Sequence, residues 1–174
     1  ARAEEVRAAS ITAVHLPRGG MPALGDNPLF LGCADYRSTI ASNAESSGFT
    51  FPEEMRRHAD KGTALVTDKD PGDAEIAEVV SQAAAHSCIV LGTYNGHILQ
   101  GQLRLAKALA ATGLPMILVA LRNPYDLRNM PDHVAALAGW EYTRPLFDAL
   151  WPVLNGTARP TGKLPLLTLT KAAE

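Results

Sequence analysis

Two short polar turns hold the residues best suited to chemistry. Gly92-Thr93-Tyr94-Asn95-Gly96-His97 follows the apolar run Cys88-Ile89-Val90-Leu91. Arg122-Asn123-Pro124-Tyr125-Asp126-Leu127 follows the apolar run Met116 to Leu121. Phenol, amide, imidazole, guanidinium and carboxylate groups gather in these turns, a set able to hydrogen-bond a ligand or a facing protein surface. Phosphate binding fits poorly. Gly92 and Gly96 form Gly-x-x-x-Gly, which is neither the dinucleotide fingerprint nor a P-loop, and no Gly-Lys-Ser/Thr follows. His97 lacks a second metal-type residue at a matching spacing, so no metal site is expected. Asp68-Lys69-Asp70-Pro71-Gly72-Asp73 lacks the alternating acids and distal Glu of a calcium loop. It reads instead as a turn in which Asp73 caps a helix over Ala74–Ala85. No Asp or Glu occurs from Val79 to Tyr125, so this segment supplies no carboxylate for acid–base work. Asp126 is either the cap of a short helical turn or a group facing a ligand or partner.

The turns need rigid elements to hold them. The stretch from Ser87 to Leu121 reads as strand, crossover helix, strand. Both apolar runs are continuous rather than alternating, as expected of parallel strands covered on two faces. Leu99, Leu103, Ala106 and Ala110 recur at helical spacing, and Thr112-Gly113 ends the helix. Further strands are expected near Ile11–His15, Leu29–Gly32, Ala64–Thr67 and Val134–Ala138. Helices are expected over residues 1–9, from Pro52 to Asp60 with Pro52 at the first position, and from Pro145 toward Leu154. In the helix after Asp73, Ile76, Val79, Val80 and Ala83 form the buried face. Asp35 to Gly48 is polar and carries no clear pattern. The alternation of strands and helices predicts a single-domain three-layer α/β sandwich, flavodoxin-like, with a mostly parallel sheet. Both polar turns then leave the carboxyl ends of central strands, the edge at which such sheets meet ligands.

Composition excludes some partners. The 174 residues are 47% hydrophobic and 20% charged, with a formal net charge of −2. That balance suggests neither nucleic acid nor an anionic membrane surface as partner. The apolar runs are far shorter than the roughly 20 residues of a membrane span. Cys33 and Cys88 sit in or beside apolar runs with no C-x-x-C, so buried, unbridged thiols are expected. No signal-peptide pattern is visible. The chain starts at Ala1, so that absence carries no weight, and a cytoplasmic and an exported setting both stay open. Asn155-Gly156-Thr157 matches a glycosylation sequon but has no secretory context beside it.

Several motifs together resemble the C-terminal α/β domain of glycoside hydrolase family 3. They are Ala110-Ala111-Thr112-Gly113-Leu114-Pro115 before an apolar strand, Arg122-Asn123-Pro124-Tyr125-Asp126-Leu127, and Asn155-Gly156 followed by Pro160-Thr161-Gly162-Lys163-Leu164-Pro165. The tail is the most specific of them. Ala9-Ser10-Ile11-Thr12 is similar to the family's first strand after its catalytic barrel. The resemblance covers nearly the whole chain and is weakest from Asp35 to Gly48. Gly92-Thr93-Tyr94-Asn95 and the Asn-Pro-Tyr-Asp stretch look more like the β-N-acetylglucosaminidase branch than the β-glucosidase branch. The resemblance implies residues 1–9 as a helical lead-in from an upstream (β/α)8 barrel, and residues 10–174 as the domain.

The family hydrolyses β-linked sugars with retention, using an Asp nucleophile and an acid/base group. The nucleophile lies on the barrel, which takes about 250 residues and has no room here. In the β-glucosidase branch, this domain lends a Glu from a long loop after the strand matching Cys88–Leu91. Here that loop is short and without acids. In the acetylglucosaminidase branch, the acid/base is a His on the barrel. The resemblance therefore implies no catalytic group in this chain, no cofactor, and no turnover by the chain alone. Its implied partners are the barrel of the same polypeptide and, through the full enzyme, a β-linked amino sugar. Tyr94, Asn95, His97, Arg122, Asn123, Tyr125 and Asp126 are the expected barrel-facing or cleft-lining residues. Two other readings compete. One is a stand-alone binding or scaffold module that kept the fold. The other is a flavodoxin-like nucleotide or flavin protein, against which Pro17-Arg18-Gly19-Gly20 lacks a hydroxyl-rich phosphate loop.

Overall fold

A computed structural model describes residues 2–34 and 48–164. The order of elements is α1 (Arg2–Ser10), β1 (Thr12–His15), β2 (Pro28–Cys33), α2 (Phe51–Ala59), β3 (Thr63–Thr67), α3 (Asp73–Ala83), β4 (Cys88–Thr93), α4 (Gln100–Ala110), β5 (Met116–Ala120), a 3-10 turn (Pro124–Leu127), β6 (Val134–Ala138) and α5 (Arg144–Leu154). One six-stranded sheet runs β1-β6-β5-β4-β2-β3. The five strands from β2 to β6 are parallel, and β1 joins β6 antiparallel at the edge.

Period-two alternation divides each central strand between two cores. Phe30, Val90, Ile117, Val119 and Leu137 face one side and pack on Phe51 and Met55 of α2 and on Leu146, Phe147 and Leu150 of α5. Leu29, Leu31, Ile89, Leu91 and Leu118 face the other side, against Ile76, Val79 and Ala83 of α3 and Leu105, Ala106 and Leu109 of α4. This is the expected three-layer sandwich, with β2, β4, β5 and β6 buried throughout. The connection from β2 steps outward to β3, whereas those from β3 and β4 step the opposite way. Right-handed crossovers place helices from opposite steps on opposite faces. The reversal falls between β2 and β4, which makes their carboxyl ends the topological switch point.

Several local expectations shift. Gly72, not Asp73, occupies the cap of α3. No side chain bonds there, and Asp73 with Glu75 lies inside the first turn, opposite the dipole's positive end. That helix ends at Ala83, two residues early, and Val80 is only half-buried. Thr50 caps α2 and accepts from the Glu53 amide, so Phe51 takes the first helical position and Pro52 follows. On α4 the buried face is Gly101, Gln102, Leu105, Ala106, Leu109 and Ala110. Leu99 and Leu103 stand at its margin, because Gln102 turns inward for its hydrogen bonds. Gly113 holds φ +74°, the left-handed stop expected past this helix.

Cys33 and Cys88 are both buried, without a disulfide. The Gly162 amide donates to the Ile11 carbonyl at 2.9 Å, so the tail returns to the start of β1. The stretch from Asp35 to residue 47, for which the sequence shows no pattern, lies outside the described residues, as does the tail from Pro165. Among the described residues no helix is long and apolar enough to cross a membrane.

Candidate functional site

β4 and β5 are hydrogen-bonded neighbours whose last paired residues are Thr93 and Ala120. The Leu121 amide then donates to the Thr93 carbonyl at 2.9 Å. Both polar turns therefore leave the same edge of the sheet side by side. The first turn is bent by Asn95, which sits at φ +56° in the left-handed region that asparagine tolerates. Its carbonyl accepts from the Ile98 and Leu99 amides at 2.9 and 3.0 Å. That bend aims the next two amides away from the helix. The second turn is closed by Asn123, whose side chain accepts from the Tyr125 amide at 3.3 Å.

Asparagine at 123 does the capping, so Asp126 is released for another task. It reaches across to the first turn and is 1% exposed. One carboxylate oxygen accepts from the Gly96 amide at 2.9 Å and the other from the His97 amide at 2.7 Å. His97 Nδ1 lies 3.3 Å from that second oxygen. A Cβ at Gly96 would stand 3.1 Å from the carboxylate, so glycine lets it approach. Successive outward amides form a nest that favours an anion, and here the protein's own carboxylate fills it. Asp70 does the same at the start of α4, accepting from the Gly101 amide at 2.6 Å. Two positions where a phosphate would sit are thus occupied, which weighs against the nucleotide reading on physical grounds.

Behind the turns lies a second network. Gln102 is 3% exposed and accepts from the Tyr94 amide at 2.8 Å while donating to the Tyr94 and Lys69 carbonyls at 3.0 and 2.8 Å. Tyr94 packs edge-on against Tyr142 at 5.4 Å, and its hydroxyl accepts from Arg122 Nη1 at 3.0 Å. The Tyr142 hydroxyl donates to the Cys33 carbonyl and accepts from the Phe51 amide. Glu54 of α2 is buried and binds Arg57 and Arg144, tying α2 to α5. Burial pushes its carboxyl up, but hydrogen bonds and charge from the two arginines outweigh that and hold it below its ordinary value.

The seven residues singled out from the sequence therefore fall into two groups. Tyr94, Asn95 and Asp126 are buried within the domain and shape the turns. His97, Arg122, Asn123 and Tyr125 retain surface, with Tyr125 at 42% exposure and the Arg128 guanidinium 4.6 Å over its ring. Ile98, at 65% exposure, extends this patch. Sequence reading missed Gln102, Asp70 and Tyr142. Gln102 alone left a signal, as an amide on the apolar side of α4. Farther along the same edge, a concavity of about 680 Å³ is lined by Val6, Arg7, Trp140 and Glu141 among others. Trp140 sits there at φ +72° with its indole N–H on the Ser10 carbonyl at 2.9 Å. Among the described residues no three His, Cys, Asp or Glu side chains gather to hold a metal ion.

No family model matches the chain, and no curated protein does. Solved structures do share its fold. A glycoside hydrolase family 3 β-N-acetylglucosaminidase from Paenibacillus sp. str. FPU-7 superimposes with TM-score 0.80 at 24% identity, over 96% of this chain and 32% of that one. A fungal multi-domain β-N-acetylglucosaminidase of the same family gives 0.74 at 17% identity, over 98% and 19%. A β-glucosidase from Listeria innocua gives 0.72 at 16% identity, over 94% and 26%. The chain thus has the fold of one part of these larger polypeptides and spans a third of their length or less.

Proposed function

We propose that this chain is the C-terminal α/β domain of a glycoside hydrolase family 3 enzyme of the β-N-acetylglucosaminidase branch, and that it carries no catalytic group of its own. Residues 1–9 lead in from a (β/α)8 barrel, and residues 10–174 pack on that barrel and shape its substrate cleft. The edge bearing His97, Arg122, Asn123 and Tyr125 faces the barrel, and Tyr94, Asn95 and Asp126 hold that edge in place. The observation that carries the reading is the state of Asp126. It is the only carboxylate in the two turns, and it is buried and committed to two amides and an imidazole. A retaining hydrolase needs a nucleophile and an acid/base in one pocket. These turns offer contacts and shape, and leave that chemistry to another domain. The six-stranded fold, the sequence motifs of the tail and the partial coverage of larger family 3 polypeptides support the same assignment.

The test is hydrolysis of a chromogenic β-N-acetylglucosaminide by the purified 174-residue chain and by the protein extended upstream in its native reading frame. The short chain is expected to be inactive and the extended one active. Turnover by the short chain, abolished by a substitution within it, would overturn the reading. An upstream stop codon in the native gene would favour the stand-alone binding module instead.

A further inference from the structure

His97 and Asp126 come from different turns, 29 residues apart in sequence, and meet beyond the carboxyl ends of β4 and β5. A carboxylate only accepts hydrogen bonds. With Asp126 Oδ1 at 3.3 Å, the proton of the neutral imidazole belongs on Nδ1. The ring's other nitrogen, Nε2, makes no hydrogen bond among the described residues, and the side chain keeps 29% of its surface. The residue around the ring is held at three points. Its own amide is fixed by Asp126 at 2.7 Å, its carbonyl accepts from Gln100 Nε2 at 2.7 Å, and the Tyr125 ring lies 6.1 Å away, tilted by 60°. Asp126 in turn cannot swing away, since it also binds the Gly96 amide. The result is an oriented acceptor at an otherwise donor-rich edge, where Arg122 and Arg128 supply guanidinium groups.

We propose that His97 is the residue through which this domain touches ligand in the composite cleft, with Nε2 accepting a hydrogen bond from a hydroxyl of a β-linked amino sugar, and that Asp126 is its positioning residue. This rests on the glycoside hydrolase reading above. The role is contact and orientation, not proton transfer. Asp126 sets which nitrogen faces out, in the way a carboxylate behind a histidine commonly does.

Two substitutions separate this role from a structural one. Glutamine places a polar atom near the Nε2 position and has no group at Nδ1. Asparagine does the reverse, keeping the bond to Asp126 and offering nothing outward. In the upstream-extended protein, His97→Asn is expected to raise KM for a chromogenic β-N-acetylglucosaminide about tenfold, the weight of one hydrogen bond, with kcat little changed. His97→Gln is expected to stay nearer the wild type. The opposite order, or no change in either variant, overturns the proposal while the hydrolase reading stands. Absence of turnover by the wild-type extended protein overturns both. A spectroscopic arm uses the 174-residue chain labelled with ¹⁵N at histidine. Long-range ¹H–¹⁵N spectra at neutral pH, assigned by the signal lost in His97→Asn, should show His97 protonated on Nδ1. A proton on Nε2 instead would refute the assigned orientation.

Discussion

Gly92→Ala tests why a glycine stands one residue before the end of β4, beneath the site. The backbone there is not in the left-handed region, so alanine is conformationally allowed. By itself the change would stabilise the chain by about 0.4–1 kcal/mol through the unfolded state. Packing opposes it. The new Cβ would stand 2.5 and 2.8 Å from Phe51 Cδ1 and Cε1 and 2.9 Å from Leu121 Cδ1. Carbon atoms prefer about 3.5–4.0 Å, so the ring would have to retreat by about 1 Å. It has nowhere to go: Phe51 is fully buried and meets Phe147 edge-on at 5.4 Å. Overpacking of this kind costs about 1–3 kcal/mol, so a net loss of about 1–2 kcal/mol is expected. For a chain of this size that lowers Tm by about 2–8 °C. Urea unfolding of Gly92→Ala, Phe51→Leu and the double variant gives the coupling. The double variant should be more stable than the sum of the single effects predicts by about 1 kcal/mol, because the smaller side chain makes room. A neutral Gly92→Ala, or a cycle additive within about 0.5 kcal/mol, would refute the reasoning.

Three further outcomes follow from the geometry. Glu54→Gln should cost about 1–2 kcal/mol at pH 7, since Glu54 is buried but its arginine partners are partly exposed. The folded carboxyl is held below its ordinary 4.5. Its contribution is therefore complete above that value and lost as pH falls through the folded pKa, so wild type and variant should converge in acid; a difference growing below pH 4.5 would contradict this. Gln102→Leu removes the hydrogen bonds Gln102 makes to the Tyr94 amide and to the Tyr94 and Lys69 carbonyls, and should cost about 1–3 kcal/mol and speed hydrogen exchange at Tyr94; unchanged protection there would count against the network. Burial pushes the Cys88 thiol up to about 12, and both cysteines are enclosed, so Ellman's reagent at pH 8 should react only after unfolding, and rapid reaction of the native chain would count against their burial.

The layers were legible because hydrophobic periodicity is a local property. Continuous apolar runs marked β4 and β5 as covered on both faces, and each strand expected from the sequence occurs within a residue or two of its place. Gly113, at positive φ, marked the end of α4. The polar turns after β4 and β5 could be placed at one edge, since parallel strands point the same way.

What the turns do to one another was not legible. Nothing local distinguishes Asp126 as a cap for its own turn from Asp126 as an acceptor for the amides of another. The choice depends on the register that sets Thr93 beside Ala120 and on Asn123 taking the nearer cap. Gly92 and Gly96 looked alike in sequence, but one leaves room for the Phe51 ring and the other for a carboxylate. The inward turn of Gln102 shifted the buried face of α4 away from the one its leucines suggested. Period and composition are written along the chain, so the sequence by itself determined the strands, the helices and the edge where the polar groups gather. Close packing and the need of each buried donor for an acceptor are satisfied between segments far apart, so only the tertiary structure decided which of those groups are spent inside the domain and which remain to meet a partner.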